Sequence, residues 1–103
     1  MGYATIRYRV KTEKRQENRA LIEAVFEELG QSAPQGLRYL VFELDDGEFL
    51  HIVEEAGDAS PLPRLTAFQA FTRDHAARRD GPVSRHAASL VGNYRMLSGQ
   101  GEA

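Results

Sequence analysis

The sequence predicts an α+β fold, a four-stranded antiparallel sheet with two helices on one face. Three observations predict it. A period-two run opens the chain at Tyr3–Val10. A hairpin occupies the middle, Leu37–Leu44 and Phe49–Val53 around Asp45-Asp46-Gly47. One helical apolar stripe precedes that hairpin and another follows it.

In the first strand Ala4, Ile6, Tyr8 and Val10 alternate with Tyr3, Thr5, Arg7 and Arg9. Leu21, Ile22, Val25, Phe26 and Leu29 then recur at helical spacing and predict a helix over Glu13–Leu29, with Thr12 as N-cap and Gly30 as the left-handed stop. In the next strand Leu40, Phe42 and Leu44 form one face and Leu37, Tyr39 and Val41 the other. Both faces are apolar, which is unusual where one side meets water. Asp46-Gly47 is a favoured hairpin pair. Phe49, His51 and Val53 then alternate with Leu50 and Ile52. Ser60 and Pro61 start a second helix that carries Leu65, Phe68 and Phe71 inward and ends near Arg78. The apolar alternation over Ala87–Leu97 reads as the last strand. Residues 1–97 are expected to form a single domain, and Ser98–Ala103 a flexible tail.

Two β-α-β halves around a hairpin make a ferredoxin-like sandwich, and right-handed crossovers put both helices on one sheet face. The helices are expected to cover Ala4, Ile6, Tyr8 and Val10 with Leu40, Phe42 and Leu44. Tyr3, Tyr39, Val41, Phe49 and Val53 are then left on a second face. Exposing such side chains forfeits roughly 1.5–3 kcal/mol each. A two-fold copy of the sheet would cover them, so the expected assembly is a homodimer closing into an α/β barrel.

Composition removes several functions. The 103 residues include no cysteine, so disulfides, thiolate metal sites and cysteine nucleophiles are out, and a reducing, cytoplasmic setting is expected. The N-terminus lacks a secretory pattern, and no apolar run is long enough to span a bilayer. The net charge of −2 provides no field for nucleic acid, so neither nucleic acid nor membrane is an expected partner. No Gly-rich phosphate loop, nucleophile elbow or zinc motif occurs.

The order of elements resembles the dimeric α/β-barrel superfamily, which includes antibiotic-biosynthesis-monooxygenase-like proteins. Leu65-Thr-Ala-Phe-Gln-Ala-Phe-Thr-Arg-Asp-His75 resembles its second helix. Leu90-Val-Gly-Asn-Tyr-Arg-Met-Leu97 resembles the closing strand of some small members. The resemblance covers Tyr3 to Leu97 and is one of architecture more than signature. It implies a dimer with a pocket between sheet and helices. Members include cofactor-free oxygenases of polyketide-like aromatics, haem-degrading enzymes, isomerases and proteins with no assigned activity. In the haem-degrading members a second-helix histidine ligates iron. The matching position is Phe71, with His75 one turn later, and their asparagine and tryptophan have no counterpart here. Haem degradation is therefore not expected, and no organic cofactor or metal is.

The candidate residues each admit two readings. His51, central in its strand, is placed as a general base or as a hydrogen-bonded interface histidine. His75 either complements a helix C-terminus or lines the pocket. His86 reads as a strand-edge residue. Arg7, Asn93 and Arg95 converge if the first and last strands pair, either to hold an oxyanion or to make cross-dimer salt bridges. Tyr8, Phe42, Phe68 and Phe71 line an aromatic pocket or fill the core. Glu54 and Glu55 point to opposite faces and cannot share a metal.

Three functions follow. One is a monooxygenase-like enzyme without organic cofactor, acting on an aromatic or polyketide-like molecule, with His51 taking a proton and Arg7, Asn93 and Arg95 stabilising the anion. The alternative is a non-catalytic ligand-binding or structural dimer. An RNA-recognition module has the same element order, but the acidic balance and the lack of its aromatic motif oppose it.

Overall fold

The computed structural model describes residues 2–55 and 60–97. Four strands, β1 (Tyr3–Arg9), β2 (Leu37–Glu43), β3 (Glu48–Glu55) and β4 (Ser84–Ala88), form one antiparallel sheet in the order β2-β3-β1-β4. Helix α1 (Arg15–Ser32) links β1 to β2, and α2 (Thr66–Thr72) with the short α3 (His75–Arg78) links β3 to β4. This is the ferredoxin-like α+β fold. No helix among the described residues is long and apolar enough to cross a membrane. The predicted tail Ser98–Ala103 lies outside the described residues.

Helix α1 begins later and ends later than its pattern predicts. Thr12–Lys14 form a 3-10 turn, and Lys14 stands at the N-cap with no side-chain cap, so Thr12 does not cap the helix. The helix runs past Gly30 and stops at Ala33, in the left-handed region at φ 44°, with its N–H bonded to the Leu29 carbonyl at 2.8 Å. Ala33 precedes Pro34, whose ring disfavours a right-handed helical residue before it. The proline therefore decides the boundary.

The second helix is broken where a single one was expected. Pro61 leads into a 3-10 turn over Leu62–Arg64, with Ser60 Oγ accepting the Leu62 N–H at 3.1 Å. The N-terminus of α2 is then capped from α1: Glu28 accepts the N–H groups of Ala67 at 2.8 Å and Thr66 at 3.2 Å. Asp74, at φ 61°, separates α2 from α3.

The strand register corrects which faces are covered. Tyr8 pairs with Phe49, Ile6 with His51, Val41 with His51 and Tyr39 with Val53. Directly paired residues share a face. Hence Tyr39, Val41, Phe49, His51 and Val53 lie with Tyr8 under the helices. Leu40, Phe42, Leu50 and Ile52 lie on the open face, where Phe42 is 47% exposed. The inversion has a physical cause. β2 and β3 are apolar on both faces, so alternation carries no sign, and the connecting loop Leu44–Gly47 sets the register. The core is Tyr8, Val10, Ile22, Val25, Phe49, Leu62, Leu65 and Phe71.

The last strand is also corrected. It is Ser84–Ala88, a short polar edge strand, and not Ala87–Leu97. A polar edge resists pairing with another chain, which is why it lacks the apolar alternation that marks inner strands. Beyond it Leu90, Val91, Tyr94 and Met96 are exposed.

The hairpin tip is tied down. Val10 N–H bonds the Gly47 carbonyl at 3.1 Å, and Arg15 Nη2 bonds the Asp46 carbonyl at 3.3 Å. Gly47 sits at φ 91°, and a Cβ there would meet the Arg15 guanidinium. The arginine tip can swing aside, so the cost of Gly47→Ala is mainly backbone strain, about 1–2 kcal/mol. Urea denaturation should show a lower midpoint with unchanged slope, and an unaltered midpoint would contradict this account.

Candidate functional site

Between the sheet and α2 lies a cavity of about 530 Å³. Its floor is Ala4, Ile6 and Tyr8 of β1, Tyr39 of β2 and His51 and Val53 of β3. Its other walls are Leu62, Phe68, Phe71, Thr72 and His75, with Val83 and Arg85 from the start of β4. The alternation of three strands brings Tyr8, Tyr39 and His51 to one point, because each occupies a helix-facing position of the register.

These three form a chain of hydrogen bonds. Tyr39 Oη lies 2.7 Å from His51 Nδ1, and Tyr8 Oη lies 2.7 Å from His51 Nε2. Asn18 of α1 donates from Nδ2 to Tyr8 Oη at 3.2 Å, and its Oδ1 accepts from Arg78 Nε at 2.9 Å. Arg78 is fully buried. Its remaining nitrogens donate to the carbonyls of Phe71 at 2.5 Å and Arg73 at 3.0 Å, which lie at the C-terminal end of α2. A guanidinium there meets the negative end of the helix and satisfies orphan carbonyls. It also lies 5.3 Å from the Phe71 ring centroid.

Aromatic groups pack around this chain. The His75 ring stands edge-on to Tyr8 at 4.5 Å, and the Phe71 ring lies 5.6 Å from His51. Tyr39 stacks on Phe26 of α1. Burial pulls the His51 pKa down from 6.5 to about 4, with a smaller push from His75. His75 is pulled to about 4 by burial and then by Arg78 and Arg79. Burial pushes Tyr8 up to about 12 and Tyr39 up as well. At neutral pH all four are therefore uncharged, and Arg78 is the charge behind them.

The structure brings His51, Tyr8, Phe68, Phe71 and His75 to one cavity. It does not bring Arg7, Asn93, Arg95 or Phe42 there. Arg7 lies on the open face, paired with Glu48. Asn93 folds on its own segment, accepting from Met96 and Leu97 N–H at 3.1 and 3.0 Å. Arg95 sits over the Tyr94 ring. The expected convergence of Arg7, Asn93 and Arg95 depended on a strand over residues 87–97 and falls with it. His86 is on the exposed edge strand, 3.0 Å from Ser84 Oγ. Among the described residues no cluster of three or more His, Asp or Glu could hold a metal ion.

Three participants were missed by sequence reasoning, namely Asn18, Tyr39 and Arg78. Asn18 had a signal. It falls in register with Ile22, Val25 and Leu29, so an amide interrupts an otherwise apolar stripe. Such an amide must find partners when buried.

No sequence-family model matches the chain, and no curated protein matches it significantly. Solved structures do. One described as an antibiotic biosynthesis monooxygenase has a TM-score of 0.67 at 20% identity, covering 89% of this chain and all of that one. Rv0793 from Mycobacterium tuberculosis has a TM-score of 0.68 at 19% identity, over 90% and 98% of the two chains. A conserved protein from Methanosarcina mazei Go1 has 0.62 at 22%, over 86% and 92%. The chain thus has the fold of antibiotic-biosynthesis-monooxygenase-like proteins.

The depressed histidines make stability depend on pH. Both imidazoles bind a proton more weakly in the folded state than near the unfolded value of 6.5. Their stabilisation is complete above pH 6.5 and is lost as pH falls toward 4. For His51 alone the loss is on the order of 2–3 kcal/mol. Thermal melts between pH 8 and 4 should be level above pH 7 and decline steadily below 6.5. A level profile down to pH 4.5 would show that the imidazoles are not held neutral.

Proposed function

We propose that this chain is a small-molecule pocket protein that takes a flat aromatic between sheet and α2 and oxidises it as a monooxygenase-like enzyme without organic cofactor. The observation that carries this reading is the cavity itself, with Phe68, Phe71 and Tyr8 offering apolar rings and the Tyr39–His51–Tyr8 cluster forming one polar corner. Concave, mostly apolar sites with a few convergent polar groups are where small ligands bind. The likeness in fold to an antibiotic biosynthesis monooxygenase supports it. A phenol-type substrate would pass its proton to His51, and the neighbouring tyrosine hydroxyls would stabilise the oxyanion. Its ring carbon would then bond to O₂, and the proton would return from His51 to the peroxide. Loss of water from that hydroperoxide, with the hydrogen of the same ring carbon, would give a quinone. One O₂ is consumed and one water released per ring.

A non-catalytic binder is the second reading, and one observation favours it. Both His51 nitrogens are engaged and burial pulls its pKa down to about 4, which makes it a poor base. The two separate on one experiment. With 1-naphthol and dissolved oxygen, the enzyme should form 1,4-naphthoquinone with matching oxygen uptake, and His51→Ala should lower the rate at least about a hundredfold. Saturable binding of 1-naphthol without oxygen uptake would leave the binder.

We also propose a homodimer through the open sheet face. Leu40, Phe42, Leu50 and Ile52 form its apolar centre, rimmed by the Arg7–Glu48 and Arg38–Glu54 pairs. Sedimentation equilibrium at micromolar concentration should give twice the chain mass, and Phe42→Lys should give the monomer. A wild-type monomer mass would refute the assembly.

A further inference from the structure

We propose that Arg78 sets the direction of the hydrogen-bond chain through Asn18, Tyr8 and His51. The Tyr39 hydroxyl then becomes the donor presented to the cavity at its His51 corner, and a carbonyl oxygen on an aromatic ligand the group that corner selects. The proposal rests on the reading of the cavity as an aromatic site.

The direction follows from what each group can do. An arginine side chain has donors only, so the Asn18 atom 2.9 Å from Arg78 Nε is the carbonyl oxygen. The amide nitrogen of Asn18 then faces Tyr8 Oη at 3.2 Å, and that oxygen must accept. The Tyr8 hydrogen is left to donate to His51 Nε2 at 2.7 Å. A neutral imidazole that accepts at Nε2 carries its hydrogen on Nδ1, and it donates to Tyr39 Oη at 2.7 Å. The Tyr39 hydrogen has no partner among the described residues, and Tyr39 lines the cavity.

The opposite direction makes as many bonds but places the spare hydrogen elsewhere. His51 Nε2–H would donate to Tyr8, Tyr39 would donate to His51 Nδ1, and the Tyr8 hydrogen would be stranded. Tyr8 is 3% exposed. His75, edge-on to the Tyr8 ring, makes no hydrogen bond with it, and its Nε2 is buried without a partner. A buried donor left unpaired weights the balance about tenfold or more toward the first direction. His51 is uncharged at neutral pH, so the tautomer choice is real.

The direction can be reversed by one atom. In Asn18→Asp both oxygens accept, so Arg78 and Tyr8 each donate to the carboxylate. His51 then carries its hydrogen on Nε2, Tyr39 donates to His51 Nδ1, and Tyr39 turns only lone pairs toward the cavity.

Long-range ¹H–¹⁵N correlation of the imidazoles tests this without any ligand. The expected result is the Nδ1–H tautomer of His51 in the wild type and the Nε2–H tautomer in Asn18→Asp. Binding of 1-indanone against indane, matched in shape, tests the selection. The ketone should bind the wild type about fivefold more tightly. That preference should vanish in both Tyr39→Phe and Asn18→Asp. An Nε2–H tautomer in the wild type, or an unchanged tautomer in folded Asn18→Asp, overturns the proposal. So does a Tyr39→Phe protein that keeps the preference, which serves if Asn18→Asp does not fold. If neither probe binds, the aromatic-site reading fails, while the wild-type tautomer still decides the direction of the chain.

Discussion

The burial of the Arg78 guanidinium is the constraint on which the rest of this structure depends. A cation taken out of water must be met by acceptors on every side, or the fold does not pay its desolvation. Here the acceptors are the Phe71 and Arg73 carbonyls and the Asn18 side chain. Those contacts fix the break between α2 and α3, the approach of α1 to the sheet, and the side of Asn18 that faces Tyr8. The Arg78 backbone adds a further tie, since its carbonyl accepts the Lys11 N–H at 2.9 Å just after β1. One residue thus joins α1, α2 and α3 to the sheet at the base of the cavity.

The cavity and the polar chain have a common origin in the sheet register. Tyr8, Tyr39 and His51 stand on three adjacent strands, and only the pairing of Val41 and Ile6 with His51 brings them together. A slip of one residue at the hairpin would send His51 to the open face and leave Tyr8 without its acceptor. The tethers of Gly47 and Asp46 to Val10 and Arg15 therefore protect the site from a distance.

Much of the fold was legible in the sequence, because period-two and period-3.6 patterns report local geometry directly. The four-stranded sheet, its hairpin and the α1 stripe follow from them. What was not legible had two causes. Where both faces of β2 and β3 are apolar, alternation cannot say which side the helices cover, and Phe42 and Tyr39 exchanged places. Where β4 is a polar edge, its alternation is weak, and the apolar residues from Leu90 to Leu97 drew the assignment away from it. His51, Tyr8, Phe68, Phe71 and His75 were found as candidates because aromatic and imidazole side chains stand out on an apolar face. Arg78 was read only as a helix end, since a pattern does not reveal that a charged side chain folds inward.

The chain has four tyrosines and no tryptophan. Two of those tyrosines, Tyr8 and Tyr39, hold the hydroxyls on either side of His51. The near-ultraviolet spectrum of the protein is consequently weighted toward the cavity wall. Any molecule entering beside His51 will alter the surroundings of half its tyrosines, so the native protein carries its own optical gauge of occupancy, with no label and no engineered reporter.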